Sequence, residues 1–345
     1  MFFGNDLFLL GWTAVLALLS YGLKIKRPET VLGRQEERTP LFFAVIGFLP
    51  IFWFVAMGPI RSDVWAYLAG FDNLKTTVGD VFRTWDFNKH GQGFTILQVL
   101  IKDFFGNSRS AFRIVIALIQ SIPLVLIYRK YSEDYAFSIF LFVCMGLYDG
   151  WMMNGLRQFV AVCIIFAATP LLLKRKYVPT LIVIFIAFTI HQSAIMMFPV
   201  IFIVMLKPWS KKSLFLMTAF SVVLYFYVEN SNMISEEILA TDNGSNPLRI
   251  LISAFPLILA FIARKKIEED NNVLINVCVN MSFLTSLIYL IATLTSGIMT
   301  GRLPIYTNLY NLILIPYLCN KVFDKDKSQL IKLGFCVFYL AYFFI

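Results

Sequence analysis

Apolar runs of about 15 to 25 residues recur from one end of this chain to the other, and short polar loops separate them. Hydrophobic residues make up 59% and charged residues only 15%, with 35 Phe and a mean hydropathy of +0.73. A soluble domain runs nearer ~45–50% apolar and ~25% charged. The chain therefore reads as an all-α, polytopic transmembrane helical bundle over residues 1–345, with no soluble domain to be cut from it.

Candidate spans fall at about 5–23, 41–58, 111–128, 135–149, 155–173, 178–191, 192–206, 213–228, 248–263, 273–297, 303–320 and 330–345. The expected number is about 12, with 10–12 tolerated, because 135–149 and the two runs meeting at His191–Gln192 are short for a span. The N-terminus carries no Lys or Arg before the first apolar run and no evident small-residue cleavage site, so that run is expected to be retained as a helix. The five cysteines lie in or beside apolar runs without CxxC spacing, which suits core or lipid-facing residues better than metal ligands or disulfides.

Loop charge sets the orientation. Twenty of the 30 Lys and Arg fall in six loops that alternate with the rest, from Lys24–Arg38 through Lys174–Lys176 to Lys321–Lys332; these are expected to be cytoplasmic, with both termini outward. The other ten are Arg61, Lys75, Arg83, Lys89, Lys102, Arg109, Arg113, Arg157, Arg249 and Arg302. They favour Arg over Lys, whereas the cytoplasmic set favours Lys. Membrane orientation does not require that bias, but planar, bidentate recognition of phosphate does. The plainer reading is that some of them pair with Asp63, Asp72, Asp80 or Asp86.

Two outer loops stand out. Residues 59–110 open with Arg61, Asp63, Trp65 and Tyr67 and turn at Gly91-Gln92-Gly93. Phe94, Leu97, Leu100, Ile101, Phe104 and Phe105 then recur at helical spacing, with Thr95, Gln98, Lys102 and Asp103 opposite, which predicts an amphipathic interfacial helix. Residues 229–247 form a mildly acidic second outer loop.

The stretch from Asn154 to Ser193 organises the rest. Two apolar runs flank the basic turn Lys174-Arg175-Lys176; the first opens with Asn154, Arg157 and Gln158, and the second closes on His191, Gln192 and Ser193. An antiparallel pair would return both polar ends to one side, where an ionisable group at the mouth of an apolar run invites a functional reading. Arg61, Asp63, Tyr67, Arg157, Gln158, His191, Arg249, Arg302 and Tyr306 would then share the outer face. Arginines can hold a diphosphate and the charge that develops as it departs, while His191 or Asp63 can take a proton from a hydroxyl. Asp63 could instead only neutralise Arg61, and Tyr67 and Tyr306 could belong to an aromatic belt. There are two histidines, no HExxH or Cys/His grouping and no outer DxD (the one at Asp324–Asp326 is in a Lys-rich loop), so no metal or other cofactor is expected.

The series Asn154-Gly155-Leu156-Arg157-Gln158, a basic turn, and His191-Gln192-Ser193 resembles the EpsG/Wzy-type polysaccharide polymerases. Arg61-x-Asp63-x-x-x-Tyr67, Gly93-Phe94, Leu248-Arg249 and Arg302-x-x-x-Tyr306 extend the resemblance over most of the chain in the expected order. One departure is Gly91-Gln92-Gly93, where an acidic residue would be expected before the last glycine. The resemblance implies a GT-C-like, multi-pass bacterial inner-membrane glycosyltransferase. It would join undecaprenyl-diphosphate-linked oligosaccharide units, as donor and acceptor, at the outer leaflet by inverting transfer. In that scheme His191 or Asp63 is the base, Arg157 acts at the diphosphate, and Arg61, Tyr67, Gln158, Arg249, Arg302 and Tyr306 bind substrate. The lipid bilayer and a chain-length regulator protein are the expected partners, and nucleic acid is not. A lipid-linked oligosaccharide flippase is the main rival, but it should show internal repeats and deep central charges. A membrane O-acyltransferase would leave the outer arginines unexplained.

Overall fold

The computed structural model describes residues 4–22, 26–61, 63–87, 89–229, 244–323 and 325–344. Most of residues 229–247, and Asp324, therefore lie outside the described residues. The architecture is all-α apart from one two-stranded hairpin, and it divides into two compact units, Met1–Ile195 with Ile331–Ile345, and Met196–Leu330.

The first unit contains α1 (Gly4–Gly22), β1 (Arg27–Val31), β2 (Arg34–Arg38), α2 (Leu41–Met57), α3 (Val64–Asp72), α4 (Val78–Arg83), α5 (Gln92–Phe105), α6 (Arg109–Tyr131), α7 (Tyr135–Cys144), α8 (Leu156–Ala167), α9 (Thr169–Leu173) and α10 (Tyr177–Ile190). Helices α2 and α6 run antiparallel, and arginines of α6 pin both ends. Arg113 Nη2 donates to the carbonyls of Val55 (3.0 Å) and Gly58 (2.7 Å), and Arg129 Nε donates to that of Thr39 (2.9 Å). The sixteen residues from Arg113 to Arg129 rise ~24 Å, so the two polar ends bracket most of a ~30 Å hydrocarbon core.

The hairpin was not anticipated. Its two-residue turn, Leu32-Gly33, takes positive φ at both positions, as tight hairpins require. Glu29 faces Glu36 across it, an unfavourable like-charge pair. Arg129 meets Glu29, while buried Arg38 reaches Glu133 (3.1 Å) and the Lys130 carbonyl (2.8 Å). The strands thus fasten one end of α6 through charge rather than apolar packing.

The second unit contains α11 (Met197–Ile203), α12 (Lys211–Glu229), α13 (Leu248–Ile262), α14 (Arg264–Asp270), α15 (Val273–Leu294), α16 (Ile305–Asn308) and α17 (Asn311–Tyr317); α18 (Lys325–Phe343) ends the chain. Its central helix, α15, packs along α13 and α17. Asn280 of α15 is buried, and its Nδ2 donates to the carbonyls of Val204 (2.9 Å) and Leu206 (2.8 Å), the orphan acceptors after α11.

The apolar runs differ in how regularly they are helical. Among the described residues five helices are long and apolar enough to cross a membrane, and a sixth if the pair Tyr135–Cys144 and Tyr148–Asn154, bent by 76°, counts as one. Leu41–Met57, Tyr177–Ile190, Gln192–Ile203 and Leu248–Ile262 are apolar but shorter. Apolar composition persists where backbone geometry does not. Run 303–320 breaks into α16, α17 and a π turn around Pro304 and Pro316, and run 192–206 opens with a 3-10 turn.

Helix α5 forms as predicted, but its faces are assigned differently. Phe94, Gln98 and Ile101 are buried, and Lys102 Nζ donates to the carbonyls of Phe71, Asp72 and Leu74. Leu100, Phe104 and Phe105 are left exposed. Gln98 is buried and Lys102 binds backbone carbonyls, so the helix turns Leu100, Phe104 and Phe105 outward beside exposed Asp103, as an interfacial position favours.

Two predictions test these local devices. Asn280→Leu leaves two buried carbonyls without donors and should lower stability by ~1–2 kcal/mol, read as a drop in the thermal midpoint in detergent; an unchanged midpoint would contradict this role. Asp80 closes a capping box with Thr77, whose hydroxyl and then backbone N–H hold the carboxyl below its ordinary pKa. A depressed folded pKa stabilises above the unfolded value and is lost as pH falls through the folded one. Amide exchange in α4, corrected for intrinsic rates, should therefore accelerate below about pH 4, and Asp80→Asn should remove that dependence.

Candidate functional site

The hairpin expected from Asn154 to Ser193 is present. Helices α8 and α9 carry the chain to Lys174–Lys176, where Arg175 adopts positive φ, and α10 returns along α8. The polar ends meet: Gln158 Nε2 donates to Ser193 Oγ at 3.3 Å, and Ser193 Oγ lies 2.7 Å from His191 Nδ1. Gln158 is 4% exposed, whereas Ser193 and His191 are half-buried, so the chain of groups runs from the interior toward the surface.

The start of α8 is set by the Asn-Gly sequence before it. A π-helical turn, Tyr148–Asn154, leads into Gly155, where a Cβ would stand 2.8 Å from the Trp151 ring. Only glycine lets the indole close over the turn. From α6 the buried Gln120 holds the junction, its Nε2 donating to the carbonyls of Met152 (3.3 Å) and Leu156 (3.4 Å). Those bonds fix the helical turn that carries Arg157.

Arg157 packs against the start of α5. A Cβ added to Gly91, which already has φ +83°, would lie 2.5 Å from its Nη1. Two residues on, a Cβ at Gly93 would lie 2.2 Å from Thr189 Oγ1, near the end of α10. Both glycines are thus required by close approach, one beneath a guanidinium and the other against α10. Gln92, the residue at the departure from the expected pattern, clamps the preceding loop. Its Oε1 accepts from the Asp86 N–H (3.1 Å), and its Nε2 donates to the carbonyls of Asp86 and Lys89. A carboxylate could not donate, so an amide is what this backbone requires. Trp85, Phe87, His90 and Gln192 line a shallow depression alongside.

The basic residues expected on the outer face separate by partner. Arg109 is paired with Asp72, Arg83 with Asp80 (3.9 Å), Arg113 with the end of α2, and Lys102 with the carbonyls after α3. The Arg109 guanidinium holds the Asp72 carboxyl below the usual carboxylate range. Arg61 faces Asp149 (3.5 Å) and Asp6 (3.8 Å), so Asp63 is not its counter-ion. Asp63 is exposed at the start of α3, and its side chain makes no capping bond. Tyr67 is half-buried with its ring edge-on to Phe94 at 5.7 Å, supporting α5. Arg157 differs: it makes no ion pair, and its buried Nε has no hydrogen-bond partner among the described residues.

Sequence reasoning missed Asp6 and Asp149. Asp149 closes an apolar run as abruptly as Arg157 opens one, a signal that could have found it.

The second unit gathers Arg249 and Arg302 at one place. Gly244, with φ +76°, is packed on the Thr293 carbonyl; Ser245 N–H donates to Ala292 O (2.9 Å); and Gly301 sits beside Ser245. Arg302 follows that contact directly and Arg249 begins α13 four residues after it. Both side chains are exposed, whereas Tyr306 is buried, 2% exposed.

Searches of curated proteins and of solved structures returned no match. A family model does match: EpsG, over residues 41–345, which takes in every candidate residue above. The chain therefore belongs to the EpsG family, whose members are polysaccharide polymerase-like membrane proteins.

Proposed function

We propose that this protein is a polysaccharide polymerase that joins undecaprenyl-diphosphate-linked oligosaccharide units at the outer face of a bacterial inner membrane. The observation that carries the reading is the Arg157 guanidinium. It has no counter-ion among the described residues, lies against Gly91 at the start of α5, and directly precedes Gln158 of the Gln158–Ser193–His191 chain. An arginine without a carboxylate partner at the mouth of an apolar helix is unfavourable until an anion arrives. The first-turn N–H groups of α5 add donors of the same sense.

In this reading a hydroxyl of the acceptor unit attacks the anomeric carbon of the donor. The new C–O bond forms as the C–O bond to the diphosphate breaks, and the configuration inverts. Diphosphate leaves with the bonding pair, its charge met by Arg157, while His191 takes the hydroxyl proton. Geometry favours His191 over Asp63, since His191 is tied into the Arg157 neighbourhood and Asp63 is exposed at the start of α3. With Nδ1–H donating to Ser193 Oγ at 2.7 Å, Nε2 is the nitrogen that accepts a proton. The Ser193 N–H, 3.4 Å from Nδ1, is a much longer contact that favours the other tautomer. Gln158 fixes the serine, making it a positioning residue. Arg249 and Arg302 enter the proposal as further substrate-binding residues, carried by the second unit.

The test uses a deletion strain complemented with Arg157→Ala, His191→Ala or Asp63→Asn, with membrane levels checked by blotting and surface polysaccharide resolved on a gel. Arg157→Ala and His191→Ala should each reduce polymerisation by ~10²-fold or more and leave surfaces capped with single repeat units, whereas Asp63→Asn should retain long polymer. Loss of all surface units in the deletion strain, with units accumulating inside the cell, would instead make the protein a flippase.

A further inference from the structure

At the hairpin end of the first unit, away from Arg157, a groove of about 800 Å³ opens between α1, the start of α7 and α18. The proposed chemistry makes no use of it. Ala14 and Ala17 of α1 face Phe137 and Phe140 of α7 and Cys336 of α18 across it, and its mouth carries Lys26, Glu37, Asp134 and Lys332. Along α1 the groove runs from Thr13 to Gly22, a rise of ~13 Å. That is close to half of a ~30 Å hydrocarbon core, the depth of one leaflet.

Among the described residues the mouth is balanced in charge, with two ammonium groups and two carboxylates. Lys332 Nζ donates to Asp134 Oδ2 (2.5 Å) and lies 5.1 Å from the centre of the Phe137 ring; Lys26 Nζ donates to the Glu133 carbonyl at 2.6 Å. An ammonium has three N–H donors, so each lysine keeps donors for a further acceptor. Glu37 is exposed on β2 beside them.

We propose that this groove binds one phospholipid whose headgroup is zwitterionic and ends in a primary ammonium. An acyl chain lies along Ala14 and Ala17, the phosphate sits between Lys26 and Lys332, and the ammonium is held by Glu37. A headgroup of net negative charge would meet the same lysines but leave Glu37 and Asp134 facing surplus negative charge. The diphosphate of a substrate held at Arg157 is not the phosphate bound here, because Gln120, which holds the Arg157 turn, lies nine residues (~14 Å of helix) from Arg129 at the hairpin end. The proposal depends on the membrane-bundle fold and is independent of the polymerase reading. Its structural effect is to fill the space between α18 and α1, a helix whose buried residues are only Leu9, Thr13 and Leu16.

The test is native mass spectrometry of the full chain, released from nanodiscs containing equal phosphatidylethanolamine and phosphatidylglycerol. The wild type should retain one phosphatidylethanolamine. Ala17→Trp, which fills the groove, should lose it while keeping its helical circular dichroism. Glu37→Lys, an exposed change that leaves the helices untouched, should shift retention to phosphatidylglycerol. A wild type that keeps no lipid or prefers phosphatidylglycerol overturns the proposal. So does a folded Ala17→Trp that keeps its lipid, or a Glu37→Lys with unchanged selectivity.

Discussion

An arginine without a counter-charge among the described residues, held at the mouth of an apolar helix, is the constraint around which the first unit is arranged. Arg157 could be neutralised cheaply by any acidic residue within reach, as Asp149 and Asp6 serve Arg61 and Asp72 serves Arg109. Its surroundings supply something else: a glycine with positive φ, a helix start, and a glutamine, serine and histidine joined by hydrogen bonds. Such a charge is stable only beside water or an anionic ligand. The glycines at 91, 93 and 155 serve this arrangement in one way, each allowing an approach that a methyl group would block.

The rest of the unit holds that geometry still. Arg113 and Arg129 fix α6 against α2 at both ends, and Gln120 of the same helix reaches across to the start of α8. Position therefore passes from the hairpin through α6 to Arg157 by hydrogen bonds to backbone carbonyls. In hydrocarbon, apolar side chains give helices no preference for one another over lipid, so these directional contacts specify the register that packing alone would leave loose.

Much of this was legible in the sequence, and what was not has physical causes. The long apolar runs and the Asn154–Ser193 hairpin could be read directly, because twenty apolar residues permit little besides a helix and a basic turn permits a reversal. The breaks within those runs could not, since hydropathy is blind to the bend between Cys144 and Tyr148 and to the π turn at Leu318–Val322. Partners of the arginines were half legible. Arg83 and Arg109 pair with acids in the same loop, as local charge suggested, but Arg61 finds Asp6 and Asp149, which only the fold brings near. The hairpin was hidden because its strands are almost wholly charged or polar, without the alternation that marks a half-buried strand. The family resemblance, by contrast, was carried by short motifs spread along the chain, and the EpsG match spans both units.

The most direct measurement of the central claim is the affinity of the purified protein, in nanodiscs, for a polyprenyl diphosphate and for the corresponding monophosphate. It would be compared between the wild type and Arg157→Gln, which removes the charge and keeps a polar side chain of similar reach. If Arg157 reads the diphosphate, the wild type should prefer it, and the variant should lose about tenfold or more, ~1.4 kcal/mol, on the diphosphate while changing little on the monophosphate. Equal affinity of the two proteins for the diphosphate would mean that the unpaired arginine serves some other anion, and that the site lies elsewhere.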